Sequence, residues 1–123
     1  MLYFAIILSG GVGALLRYLV GRTAANLHLT GLPFGTLIAN VVGCFLMGYL
    51  SWALVHKFDV SKEVQAIVLT GFLGGFTTFS AFSLEVITLL EQGADGRAIL
   101  YVLLSLILCV TMCFCGLMLA RQA

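Results

Sequence analysis

Four long apolar runs dominate this chain, and they limit it to one solvent. They cover about residues 2–20, 35–55, 64–90 and 98–120, with short polar connections between them. Each is near or above the roughly 20 residues that a helix needs to cross a bilayer core. Of the 123 residues, 62% are hydrophobic and 9% charged, which is too apolar for a soluble domain of this size. A membrane barrel requires alternating segments of about 10 residues, and the sequence has none. The expectation is an all-α membrane protein with a single transmembrane domain over residues 1–123. Only Met1 precedes the first run, so that run reads as a retained helix rather than a secretory signal.

Charge adds a second constraint. The net charge of +1 gives no reason to expect a nucleic-acid partner. With both termini on one side, Lys57, Lys62 and Arg121 fall on that side and Arg17, Arg22 and Arg97 on the other. The positive-inside rule then has nothing to act on. A chain without charge bias can insert in both orientations, so that two opposite copies could pair as an antiparallel dimer; the alternative is a single orientation set by another feature, such as the amine terminus. Cys44, Cys109, Cys113 and Cys115 all lie within the runs, and His28 and His56 lie in or near the connections. No metal-ligand spacing emerges, and the cysteines read as small packing hydrophobes.

The third run carries the most informative stretch, Gly71-Phe-Leu-Gly-Gly-Phe-Thr-Thr-Phe-Ser-Ala-Phe82. Gly74 and Gly75 each weaken a helix by about 1 kcal/mol relative to alanine. Thr77 and Thr78 bring hydroxyls that compete for backbone groups. A helix broken here exposes N–H and C=O groups at membrane depth, where protein, water or an ion must satisfy them. Ends of half-helices make ion sites. Exposed carbonyls suit a hard cation, and one chain of four helices supplies only half a coordination shell. The break therefore predicts a two-fold dimer.

Polar residues on the other runs extend this picture. Gly35, Ala39 and Gly43 form a small-residue stripe for close helix packing, with Thr36 and Asn40 beside it. Asn40 either joins two helices by a side-chain hydrogen bond or presents N–H donors to a passing anion. Phe79 and Phe82 share a helix face, flanked by Ser80. They either pack or offer positive ring edges to an anion. Glu85 lies one turn on, toward a vestibule or the bundle interior. Tyr101, Ser105 and Cys109 are spaced by four. They form a polar track, or else Tyr101 anchors at the interface and Ser105 bonds its own helix. Arg17, near the end of the first run, either snorkels or lends charge to a vestibule. The glycines at 10, 11 and 13 lack the preceding strand of a nucleotide-binding loop.

The chain resembles the Fluc/CrcB family of fluoride channels along its whole length. The resemblance rests on Gly10-Gly11-x-Gly13-Ala14-x-x-Arg17-Tyr18, on Gly35-Thr36-Leu37-x-x-Asn40-x-x-Gly43, and on Gly71-x-x-Gly74-Gly75-x-Thr77-Thr78-Phe79-Ser80-x-Phe82. It implies an antiparallel, dual-topology homodimer with two fluoride pores. It implies that Phe79 and Phe82 are pore phenylalanines, with Asn40, Ser80, Tyr101 and Ser105 along the path, where Thr36 is expected as well. It further implies a structural Na+ at the dimer centre, held by backbone carbonyls at Gly74 and Thr77. Arg17 matches a family arginine near the vestibule. Cys109 departs from the family pattern, which usually has a hydroxyl residue there.

The expected function is passive, fluoride-selective export of cytoplasmic fluoride, conferring resistance, with no enzymatic activity. The expected location is the plasma membrane, the inner membrane in a Gram-negative cell. The alternatives are a small proton-coupled multidrug exporter and a non-transporting membrane assembly subunit. The exporter needs an intramembrane carboxylate, and the first two runs contain none. The subunit explains the glycines but gives the break and Asn40 no purpose.

Overall fold

The computed structural model describes residues 1–26 and 31–123. His28 lies outside the described residues. The elements in order are α1 (Leu2–Asn26), α2 (Phe34–His56), α3 (Lys62–Gln65), a π-helical segment (Ala66–Leu73), α4 (Gly74–Phe76), α5 (Phe79–Glu91) and α6 (Asp95–Gln122). Among the described residues four helical spans are long and apolar enough to cross a membrane: α1, α2, the composite stretch Lys62–Glu91, and α6. The third of these is interrupted, as the sequence leads one to expect. Aromatic and aliphatic side chains such as Tyr3, Phe4, Ile7, Ile107, Val110 and Phe114 stand exposed on the outer faces of α1 and α6. Lipid is the solvent that suits such a surface, so this is a multi-pass membrane protein.

The connections are built from local chemistry. Pro33 stands at the N-cap of α2, where its missing N–H costs nothing. Ser61 caps α3 by accepting from the Val64 N–H. The turn into α6 is made by Gly93 at φ 69°, with Ala94 N–H reaching back to the Leu89 carbonyl. That is a Schellman-type stop, and glycine takes its left-handed position without strain.

Two close crossings organise the bundle. In the first, α1 lies against the π-helical segment and α4. A Cβ on Gly13 would overlap the Phe72 carbonyl, and one on Gly75 would overlap Gly10. In the second, α2 packs extensively on α6. There a Cβ on Gly48 would overlap the Cys113 carbonyl, and one on Gly116 the Phe45 carbonyl. Backbone contact of this kind gives membrane helices their dispersion energy, because apolar side chains gain little by leaving lipid. The two helices run the same way. Lys57 reaches Ala123 at one end, and Leu37 clusters with Tyr101 near the other.

Two features differ from the sequence expectation. Gly74 and Gly75 are helical, and the helix breaks after them, at Thr77 and Thr78. Close approach at Gly75, not flexibility, accounts for that glycine. The eight residues before α4 are π-helical, which the sequence pattern does not signal. A π-turn shifts the backbone ladder out of regular register. Here Ser9 Oγ of α1 lies 2.9 Å from the Ile67 carbonyl and supplies a donor from the neighbouring helix.

Candidate functional site

The site grows from the break. Thr77 is extended at ψ 159° and Thr78 at ψ 126°, so neither continues the ladder. Thr77 N–H still bonds the Leu73 carbonyl at 3.0 Å, and its hydroxyl bonds the same oxygen at 3.1 Å. Thr78 caps α5, its Oγ1 accepting from the Ala81 N–H at 3.2 Å. Asn40 of α2 then takes both backbone groups of Thr78. Its Nδ2 donates to the Thr78 carbonyl at 2.9 Å, and its Oδ1 accepts from the Thr78 N–H at 2.8 Å. The two roles open to Asn40 thereby narrow: it does join two elements, and one of its amide N–H bonds is spent doing so.

Carbonyls at the end of α4 follow the same accounting. Arg17 Nε donates to the Gly75 carbonyl at 3.2 Å. Among the described residues none donates to the carbonyls of Gly74, Phe76 or Thr77. Gly74 itself is exposed. The negative end of α4 therefore meets the positive end of α5 at one point in the membrane. Arg17 is well inside α1, which continues to Asn26, so snorkelling from a helix end does not describe it.

Beside the break lies a cavity of about 220 Å³. Asn40 and Cys44 of α2 form one wall, Thr77, Thr78, Phe79 and Phe82 a second, and Ser105, Leu106, Cys109 and Val110 of α6 a third. The Phe79 and Phe82 rings stand 5.5 Å apart at 46°, and Phe82 meets Tyr101 at 5.2 Å and 51°. Tilted rings of this kind turn edges, not only faces, toward their surroundings. Phe82 is 9% exposed, whereas Phe79 is 75% exposed on the surface of the single chain. Ser105 is 7% exposed and, among the described residues, its Oγ has no hydrogen-bond partner. It does not bond its own helix.

The remaining residues that the sequence singles out gather elsewhere. Glu85 accepts from Thr36 Oγ1 on one carboxylate oxygen and from Tyr101 OH on the other, both at 2.6 Å. These short bonds tie α2, α5 and α6. Tyr101 is fully buried, so it is not an interfacial anchor. Thr36 and Glu85 border a second cavity of about 270 Å³, and Thr36 borders a third of about 340 Å³ together with Arg17. Ser80 is exposed and outside the first cavity, its hydroxyl 3.3 Å from Thr78 Oγ1. Sequence reasoning passed over Thr78 as a clamp residue, although a threonine ahead of an apolar helix is a capping signal. It also passed over Cys44, whose place on the cavity wall follows only from how α2 meets α6.

Known proteins resemble this chain over most of its length. Residues 4–117 match the model of the family described as CrcB-like protein, Camphor Resistance (CrcB). The chain is 43% identical over 116 residues to the fluoride-specific ion channel FluC of Rhizobium etli, covering 94% of this chain and 93% of that protein. It is 42% identical over 123 residues to that of Agrobacterium fabrum, covering 99% and 98%. A third relative, from Chelativorans sp., is 47% identical over 117 residues, covering 95% and 94%. With the match spanning nearly its whole length, the chain belongs to the CrcB family.

Proposed function

We propose that the cavity beside the break is part of a passive, fluoride-selective path through the membrane. The observation that carries this reading is Ser105: a buried hydroxyl without a partner among the described residues, on a residue that lines a cavity with Phe79, Phe82 and Asn40. A buried polar group left unpaired costs about 1–3 kcal/mol, so it is retained where something else completes it. Fluoride is small and strongly hydrated. A path for it must replace water with donors that hold it weakly and in several places. The Ser105 hydroxyl, the second Asn40 N–H and the phenylalanine ring edges are such donors. The start of α5 adds the positive end of a half-helix. The relatives' description as fluoride-specific channels supports the same choice of anion.

The working unit in this proposal is an antiparallel homodimer. Phe79, so exposed on one chain, would meet the second copy and complete the path with Phe82. The undonated carbonyls of Gly74 and Thr77 would face their two-fold mates around one Na+. Carbonyl oxygen is a hard ligand and fits a hard cation. Sodium supplies fixed positive charge there. The neighbouring Arg17, already on the Gly75 carbonyl, would line the vestibule with Glu85. Ser80, outside the cavity of the single chain, would join the path only if the second copy covers it. No chemical turnover is involved. The multidrug-exporter alternative needs a carboxylate free to trade its proton, and both Glu85 oxygens are held. In a bacterial plasma membrane the path lets fluoride leave that entered as HF and dissociated inside.

A fluoride electrode on loaded proteoliposomes tests this directly. Rapid release, selective over chloride, is the expected result. Release no faster than from protein-free vesicles rejects it. Replacing Na+ by a bulky organic cation is expected to lower flux and loosen the dimer; indifference to sodium removes the central ion from the proposal.

A further inference from the structure

The cavity holds a feature to which the proposed function gives no joint role: two thiols on facing walls. Cys44 comes from α2 and Cys109 from α6. Their meeting follows from the glycine crossing. Gly48 lies against the Cys113 carbonyl, and the two helices run the same way. One turn back along each helix therefore brings Cys44 opposite Cys109. Both are free, and Ser105, whose hydroxyl has no partner among the described residues, lines the same cavity.

We propose that Cys44 and Cys109 form a two-coordinate site for a soft monovalent cation such as Ag+ or Cu+, set in the wall of the cavity. Among the described residues no third histidine, cysteine or carboxylate joins them in a metal-binding group. That excludes the four-ligand preference of zinc and leaves ions content with two sulfurs. Binding one Ag+ replaces two thiol protons, which pass to the buffer, and leaves a bis-thiolate silver unit of charge −1. That unit narrows the cavity and repels an anion, so it blocks the fluoride path. The blocking half rests on the function proposed above; the binding half does not.

The test uses the purified dimer in chloride-free nitrate buffer without added thiols. Silver fluoride is soluble, so the flux assay tolerates Ag+. At one equivalent of Ag+ per chain, maleimide labelling of both Cys44 and Cys109, read by peptide mass spectrometry, is expected to fall at least tenfold. Labelling of the exposed Cys115 is expected to persist. Preferential protection of Cys115, or of Cys44 without Cys109, overturns the site. Calorimetry is expected to show a tight silver site that is lost in Cys44→Ser and Cys109→Ser and retained in Cys115→Ser. Tight binding that survives in Cys109→Ser also overturns it. Efflux from vesicles is expected to slow at least tenfold with Ag+ and recover with excess thiol. Normal efflux with both thiols protected overturns the block while the site stands. Absence of any flux without silver rejects the proposed function, and the labelling pattern still decides the site.

Discussion

The two ends of one helix face on α6 are built on opposite plans. At one end Tyr101 gives its hydroxyl to Glu85, whose other oxygen is taken by Thr36, and every polar atom there has a partner. One turn on, Ser105 has none among the described residues, and beyond it Cys109 brings only a thiol. The residues share a spacing and a face, yet they divide into a knot and an opening. The knot fixes three elements where the bundle core also lies, with Leu37, Phe82, Leu89 and Ala98 around Tyr101. The opening is held in shape from outside, by Asn40 on Thr78 and by the glycine crossing. A path for a hydrated anion needs both: walls that do not move and donors that are not already spent.

The largest expected effect comes from the residue that separates the two plans. Asn40→Leu strips partners from the N–H and carbonyl of Thr78. Inside a bilayer each bare backbone group costs several kcal/mol. Loss of measurable flux is expected, together with a protein that unfolds at much lower detergent or temperature stress. Asn40→Asp keeps the acceptor and is expected to recover part of the stability but little flux. A stable, conducting Asn40→Leu protein would mean that the break needs no clamp.

Tyr101→Phe strikes the knot alone. It removes a donor from a carboxylate and leaves one Glu85 oxygen underserved. The expected destabilisation is about 1–3 kcal/mol, read as a lower unfolding midpoint, with flux reduced in proportion to surviving protein. Ser105→Ala strikes the opening alone. Stability is expected to change by less than about 0.5 kcal/mol or to rise slightly, because no bond is lost. Flux is expected to fall about tenfold, equivalent to about 1.4 kcal/mol of barrier. If the two substitutions behave alike in both assays, the division of the face is wrong.

Much of this is visible in the sequence, and the failures have physical causes. Apolar run length marks four spans because lipid demands it, and the motif around Thr77 and Thr78 marks a break because hydroxyls compete with the ladder. The end of α1 is underestimated, since Arg17 and Arg22 look like a terminus when their partners are unknown. Arg17 stays inside the helix because the Gly75 carbonyl, 58 residues away, receives it. The π-helical segment has no local signal; its Ile67 carbonyl is served from α1. Gly74 and Gly75 read as points of flexibility, whereas the overlap that Gly75 avoids with Gly10 is visible only in the packed bundle. Spacing places Tyr101, Ser105 and Cys109 on one face correctly. It does not say that Glu85 claims the first of them. Local pattern fixes what a helix offers, and the neighbour decides what is left over.

The smallest expected effect is also the most specific to this chain. Cys109→Ser replaces a weak donor with a stronger one at the far side of the opening. The side chain is half-buried and a hydroxyl is close to a thiol in size, so stability is expected to stay within about 0.5 kcal/mol. A hydroxyl there would add a donor next to Ser105 and extend the row of unspent groups by one turn. Fluoride flux is then expected to rise about twofold, from a barrier lowered by about 0.4 kcal/mol. The sign matters more than the size. A rise means that the opening continues past Ser105 and that the thiol is its least efficient step. A fall means that fluoride leaves α6 at Ser105, and that a polar group at 109 only holds the anion where it should let go.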